Sequence, residues 1–544
     1  MSETHRDLRS DPCKSGVGNS LRRFWNKYKF VGCFGLLFAV LLYSFMMSQQ
    51  LTNTFDGLWE QNYHRAGKSE LSSGRWLLAY VDKLVMGLHG DPIASVSAIF
   101  LYTLGFVFVL DLLEVRSRLW GCISIALFLS STAISNTLSY RFTSLNYGLS
   151  YFLAVLGVYV AVRVNNPFVS VGLSGLFLGL SMSAYQAYSA VFCTVALFYL
   201  IFLLWRGSNG TACDKKAVCF LLLRLFCALL VGAGVYISSL SVFLHLNQSA
   251  LSSYNGIGEI SANGFFRGLP SSIRRSYLFF GAYFLRDRLK INCLEPLGIF
   301  YIFLALLAAV LLVIGITFLK KEKWKALFLI PAVLLIPIAC NAYMLIAGNK
   351  LELQMTAGMA MLLPLTMLLA SQSICGKKLL RGTCIVLCIA LLYGNSMQVW
   401  LDQEAMYEGR NACQSMMTRV IGDLQSKDLL SQEYEYFFVG VPVDNPFFYV
   451  SENFELANAY AQVGNFWVSG YCCQVSYEGL ISKYMGINLP MHFRVYEQVA
   501  ATPEVAEMPL YPQAGYITKL NEKTILIKIG EYKDYTGFSK YTID

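Results

Sequence analysis

The chain has 544 residues, of which 56% are hydrophobic and only 14% charged, with a mean hydropathy of +0.49. A soluble globular domain carries about a quarter charged residues, so the composition excludes an ordinary soluble multidomain protein. The net charge of +9 is no argument for a nucleic-acid partner; it has to be located loop by loop.

Apolar runs of membrane-spanning length recur along the chain. Eleven spans are expected, at 28–49, 92–112, 119–135, 145–163, 167–183, 185–205, 224–246, 296–318, 326–347, 353–370 and 379–397. The first follows Arg22, Arg23, Lys27 and Lys29, and no small-residue cleavage site follows it, which predicts an uncleaved signal anchor. The fold class is therefore a polytopic α-helical membrane protein. Residues 1–27 form a cytoplasmic segment, 28–397 the transmembrane domain, and 398–544 an α/β domain on the far side.

Lysine and arginine in short loops set the orientation. With the N-terminus inside, the inner loops hold Arg116 and Arg118, Arg163, Arg206 with Lys215 and Lys216, Lys320 to Lys325, and Lys377 with Lys378 and Arg381. The opposite loops mostly lack such clusters. The exception is 247–295, with Arg267, Arg274, Arg275, Arg286, Arg288 and Lys290 among aromatics, a pattern that suits an amphipathic segment on the bilayer. Loop 50–91 and the tail are then both outside.

The tail has no spanning run. Residues 404–430 show helical spacing of Met406, Cys413, Met416, Met417, Val420, Ile421 and Leu424. Residues 434–443 read as a strand and 515–530 as a hairpin turning near Asn521-Glu522. Among the outer cysteines, Cys293, Cys413, Cys472 and Cys473, a disulfide is chemically open in an oxidising compartment.

The sequence has no P-loop, no G-x-G-x-x-G after a strand, no H-E-x-x-H and no G-x-S-x-G, and its five histidines are not paired at metal-ligand spacing. That argues against an ATP-driven pump, a zinc protease and a serine hydrolase. What remains is acids and arginines at the outer surface. Asp56 and Glu60 are one helical turn apart in TFDGLWEQNY. A carboxylate there can serve as general base toward a hydroxyl, and Asp56 can equally cap a short helix. Trp59 and Trp76 suit either an interfacial belt or stacking on sugar rings. Arg75, after Ser72-Ser73-Gly74, and the arginines of 247–295 can grip a phosphate or anionic headgroups. Tyr140 and Arg141 in SNTLSYRFTSL face the same side, as do Tyr185 and Gln186 in SAYQAYS.

Four pieces in this order carry a resemblance: FDGLW…SGRW after the first span, LSYRFTSL after the third, YQAY at the fifth-to-sixth turn, and MPLYPQAGYITKLNEKTILIKIG near the end. They resemble the bacterial serotype-converting O-antigen glucosyltransferases, the type II branch of the Gtr family, over nearly the whole chain. The resemblance implies a GT-C-like fold in the bacterial inner membrane, with the tail periplasmic. It also implies transfer of a sugar from a polyprenyl-phosphate donor to a surface polysaccharide on the outer face. Asp56 would then be the base with Glu60 assisting, while Arg75, Arg141, Arg267, Arg274 and Arg275 would bind donor phosphate. Trp59, Trp76, Tyr140, Tyr185 and Gln186 would line the sugar or acceptor site. The family's pattern often has an acid where this chain has Thr143, which leaves fewer acids for a metal; a divalent cation stays open, and no cofactor is assigned. Partners would be the lipid-linked donor, the glycan acceptor and membrane lipid, with no nucleic acid. Two other classes remain: a flippase of lipid-linked sugars, which needs ionisable groups deep in the spans, and a non-catalytic envelope-assembly protein acting through its tail.

Overall fold

The computed structural model describes residues 17–54, 56–59, 65–208, 214–252, 262–285, 289–345, 352–376, 378–466, 470–491 and 496–532. Glu60, Arg286 and Arg288 lie outside the described residues, as do the side chains of Asp56 and Trp59. The chain is mostly helical. In order come α1 (Val17–Leu42), α2 (Ile93–Leu112), α3 (Arg118–Leu129), α4 (Thr132–Ser139), α5 (Ser144–Arg163), α6 (Pro167–Ala184), α7 (Ser189–Gly207) and α8 (Lys215–Leu246). There follow α9 (Ala262–Leu285), α10 (Ile299–Lys321), α11 (Lys323–Cys340), α12 (Ala357–Ser373), α13 (Lys378–Ser426) and, in the tail, α14 (Gly470–Gly479).

Among the described residues, nine helices are long and apolar enough to cross a membrane, or ten if the bent pair α3–α4 counts as one span. This is compatible with a polytopic membrane protein. The apolar helix α12, where a tenth span was expected, is shorter than these. The third span departs from expectation: it breaks by 50° between α3 and α4. The cause is in the sequence, because Ser130, Ser131, Thr132, Ser135, Asn136 and Thr137 bring hydroxyls and an amide into a run that is otherwise apolar. Every residue of α4 is buried, so those polar groups turn inward rather than toward lipid.

Two opposite ends result. At the end assigned to the cytoplasm by the charge count, Asp111 meets Lys27 at 3.4 Å and Arg163 at 3.0 Å. Glu114 pairs with Arg206, and the buried Lys325 ammonium meets Glu322 at 2.7 Å and Ser208 Oγ at 3.0 Å. Side-chain caps start helices here: Asn166 Oδ1 accepts from the Phe168 and Val169 amides, with Pro167 in the first turn, and Asp214 accepts from the Ala217 amide. The other end, called outer below, gathers, among the described residues, those of 43–91, 140–143, 185–188, α9 and the chain after residue 398.

The last span does not stop at residue 397. It continues as α13, a single helix of 49 residues that absorbs the helix expected at 404–430. The tail sheet has three strands, β1 (Glu435–Val439), β2 (Ile517–Lys519) and β3 (Thr524–Lys528), in the order β1-β3-β2. β2 and β3 are the antiparallel pair expected as a hairpin, and Asn521 Oδ1 accepts from the Lys523 and Thr524 amides at its turn. β1 runs parallel to β3. Among the described residues no disulfide joins Cys293, Cys413, Cys472 and Cys473; the Cys473 thiol donates to the Gly440 carbonyl at 3.3 Å.

Candidate active site

The opening loop enters the outer end as a buried irregular segment, Leu51 to Thr54. Thr52 Oγ1 and the Asn53 amide both donate to the Ser139 carbonyl, at 3.2 and 3.3 Å, and the Thr54 amide donates to the Tyr460 carbonyl at 3.0 Å. The segment is thus held between the end of α4 and the tail. The next turn, Asp56–Trp59, is helical, and the Gly57 amide donates to Asn53 Oδ1 at 3.2 Å. A Cβ on Gly57 would fall 1.1 Å from Thr52 Oγ1, so only glycine fits after Asp56 at this approach. The turn packs against α14 of the tail, which fixes where the Asp56 backbone stands.

Arg141 lies in a single 3-10 turn between α4 and α5 and is only 1% exposed. Its Nη1 donates to the Gln50 carbonyl at 2.9 Å, and its Nε is 3.4 Å from Asp91 Oδ2. Asp91 Oδ1 accepts from Ser95 Oγ at 2.5 Å. Burial pushes the Asp91 carboxyl above its usual range, while Ser95 and the Arg141 charge draw it back down. A second buried pair pins the same loop: His89 Nε2 is 3.1 Å from Asp82 Oδ1, and Asp82 Oδ2 accepts from the Ala66 amide at 2.7 Å.

The Ser-Gly-Arg-Trp stretch and the α6–α7 turn form one unit. Gln186 Nε2 donates to the Ser73 carbonyl at 2.8 Å and to Tyr236 Oη at 2.9 Å, and Tyr236 donates to the Gly74 carbonyl at 3.2 Å. Gly74 has φ +82°, and a Cβ there would lie 2.4 Å from Tyr236 Oη and 2.5 Å from Gln186 Nε2. The Leu77 amide donates to the Ser183 carbonyl. The Arg75 guanidinium sits 4.7 Å from the centre of the Tyr185 ring, and Trp76 stacks on Phe243 at 4.5 Å. From Tyr185 a run of edge-on contacts leads to Tyr147 at 4.8 Å and on to Tyr140 at 6.1 Å, beside Arg141.

Comparison with known families matches residues 60–394 to the model of the glucosyl transferase GtrII family. The chain belongs to the GtrII glucosyl transferase family. No curated protein and no solved structure matches it. The GtrII match spans the Ser-Gly-Arg-Trp, Tyr-Arg-Phe and Tyr-Gln-Ala-Tyr pieces; Asp56 and the tail lie outside it. The chain is accordingly a glycosyltransferase by family.

Of the residues that the sequence nominated, Arg75, Trp76, Tyr140, Arg141, Tyr185 and Gln186 are brought together at the outer end of this GtrII chain. The arginines of α9 stand differently: Arg267 and Arg274 are exposed, and Arg275 donates to Ser271 Oγ at 2.9 Å. Upstream of α9, the Ser252 amide donates to the Ser72 carbonyl at 3.0 Å, which ties that part of the chain to the Arg75 loop. Among the described residues, no group of three His, Cys, Asp or Glu side chains is placed to hold a metal ion.

Sequence reasoning missed Asp82 and two further acids. Asp91 ends the opening loop in His-Gly-Asp-Pro, a helix-start signature whose acid passes for an ordinary cap. Asp402, on α13, is fully buried: Oδ2 accepts from Tyr460 Oη at 2.7 Å and Asn458 Nδ2 at 3.0 Å, and Oδ1 from the Asn458 amide at 2.8 Å and Gln398 Nε2 at 3.2 Å. Tyr460 Oη also lies 2.9 Å from Ser135 Oγ of α4. An acid between an apolar run and a distant tail segment carries no local sequence signal for that pairing.

Proposed function

We propose that this chain transfers a hexose, glucose by its family, from a polyprenyl-phosphate carrier to a surface polysaccharide such as O-antigen, on the outer face of the bacterial inner membrane. The observation that carries the proposal is the convergence of four sequence pieces at one end of the helices: the Asp56 turn, the Arg75 loop under Gln186, the Arg141 turn and the Tyr185 turn. A donor with an isoprenoid tail in lipid and a sugar phosphate at the interface meets the protein at that depth.

Asp56 is the general base. Its carboxylate takes the proton of an acceptor hydroxyl as the oxygen attacks the anomeric carbon. The bond from that carbon to the phosphate oxygen breaks, and its electron pair leaves with polyprenyl phosphate. Attack opposite the leaving group inverts the anomeric centre. Glu60 supports the base. Arg75, Arg267, Arg274 and Arg275 take up the charge that develops on the phosphate, and Trp59, Trp76, Tyr140 and Tyr185 offer ring faces and edges to sugars. The tail brings the acceptor glycan.

A lipid-linked-sugar flippase is less well supported. A transport path would need ionisable groups along the spans, whereas the ion pairs Asp111–Arg163 and Glu114–Arg206 gather at the inner end and tie neighbouring helices together there. The test is transfer itself. Purified protein with polyprenyl-phosphate glucose and acceptor lipopolysaccharide should give glucosylated glycan, and Asp56→Asn should reduce the rate by roughly a hundredfold or more at equal protein level. Normal transfer by Asp56→Asn sinks the base assignment.

A further inference from the structure

Arg141 touches both ends of the opening loop. Its Nη1 donates to the carbonyl of Gln50, the last residue before the buried Leu51–Thr54 segment, and its Nε faces the carboxylate of Asp91, two residues before α2 begins at Ile93. Between those two residues lie the Asp56 turn, the Arg75 loop and the Asp82–His89 pair. A loop of this length has many closed arrangements of similar energy, so its catalytic acid needs something that fixes where the ends stand. A guanidinium is suited to it, being planar, permanently charged and able to donate in two directions at once.

The surroundings fit a fastening. Asp91 and Arg141 are both almost fully enclosed, and Ser95 Oγ holds the other carboxylate oxygen, so neither group is free to swing. The tail closes the same neighbourhood: Arg410 of α13 donates to the Gln49 carbonyl at 2.7 Å, and its guanidinium lies over the ring of Tyr484. Gln49 and Gln50 thus present consecutive carbonyls to two arginines, one from the membrane helices and one from the start of the tail.

We infer that Asp91 and Arg141 form a positioning pair that closes the opening loop and sets the place of the Asp56 turn, Arg141 acting on the reaction through the loop rather than by gripping donor phosphate. The inference rests on the proposed role of that loop in glucosyl transfer. It assigns Asp91 a part that no sequence motif of the chain indicates.

The experiment compares wild type with Asp91→Asn, Arg141→Lys and the double variant in the purified full chain, with two readouts. The first is hydrogen–deuterium exchange of peptides from residues 51–91. The second is transfer kinetics with polyprenyl-phosphate glucose. Each single variant should speed exchange across 51–91 and lower kcat on the order of tenfold to a hundredfold, with donor KM nearly unchanged. The double variant should be no worse than the worse single one, because the two residues act as one unit. Ser95→Ala, which leaves both charges in place, should give the same changes in smaller measure if larger substitutions fail to fold. Unchanged exchange in 51–91, or a rise in donor KM alone for Arg141→Lys, overturns the inference. Failure of the base assignment appears instead as normal transfer by Asp56→Asn and leaves the exchange readout intact, so the two failures are separable.

Discussion

Gln186 donates to the carbonyl of Ser73 at 2.8 Å, across 113 residues of sequence. Through that bond the turn between α6 and α7 carries the loop that presents Arg75, and Tyr185 next to it supplies the ring on which the guanidinium rests. Replacing Gln186 with Leu leaves a carbonyl and the Tyr236 hydroxyl without their donor, a loss of about 1–3 kcal/mol. Donor KM should rise while the protein still folds. Kinetics at varied donor concentration check it, and an unchanged KM would separate Arg75 from donor binding.

Gly74 is held by two independent constraints, its positive φ and the closeness of Tyr236 and Gln186. Gly74→Ala should lower stability by roughly 1–3 kcal/mol and displace Arg75. Thermal unfolding in detergent measures the first and transfer rate the second. A fully active, equally stable Gly74→Ala protein would contradict the packing described for this turn.

Asp402 binds the tail to the membrane helices by accepting from Tyr460 and twice from Asn458. Tyr460→Phe and Asp402→Asn should each loosen the tail, and their effects should couple by about 1–3 kcal/mol in a double-mutant cycle. Protease cleavage within residues 440–466 is the direct measurement. Purely additive losses would mean that the two groups do not act together.

Acidification should separate stability from activity. The charges facing Asp91 are Arg141 and, beyond it, Arg410 of α13, with Tyr484 of the tail beside both. Asp91 is raised above its usual range, so folding favours its neutral form relative to the unfolded chain. Its contribution to stability is therefore fully present below the unfolded carboxyl value of about 4 and is lost as pH rises through the folded value. The positioning pair needs the ionised form. As pH falls through that raised value, transfer should decline although Asp91 itself makes the fold no weaker. The acid limb of the pH–rate profile should move in Asp91→Asn; an identical limb in wild type and variant would exclude Asp91 as its source.

Much of the helical layout was legible because a span announces itself by length and hydropathy alone, as α2, α5, α10 and α11 show. The hairpin at β2 and β3 was legible from alternation around Asn521. The break at Ser130-Ser131 was not, because a run of small hydroxyl residues is compatible with a span until the packing around it is known. Nor was the continuity of α13, because its apolar run ends near residue 397 and the spaced apolar positions resume only at Met406. For the site, Gln186 and Arg75 stood out as polar groups at loop edges. Asp91 and Asp402 were hidden because their partners, Arg141 and Tyr460, come from distant parts of the chain.

The single helix α13 leaves no joint between the last apolar stretch and the tail. Its 29 residues from 398 to 426 measure ~43 Å at 1.5 Å per residue. A rod of that length acts as a gauge. Under the proposed function, an acceptor bound beside its far end would be held at a set distance from the membrane helices, and a long glycan would be read by distance along its chain as well as by the identity of its sugars.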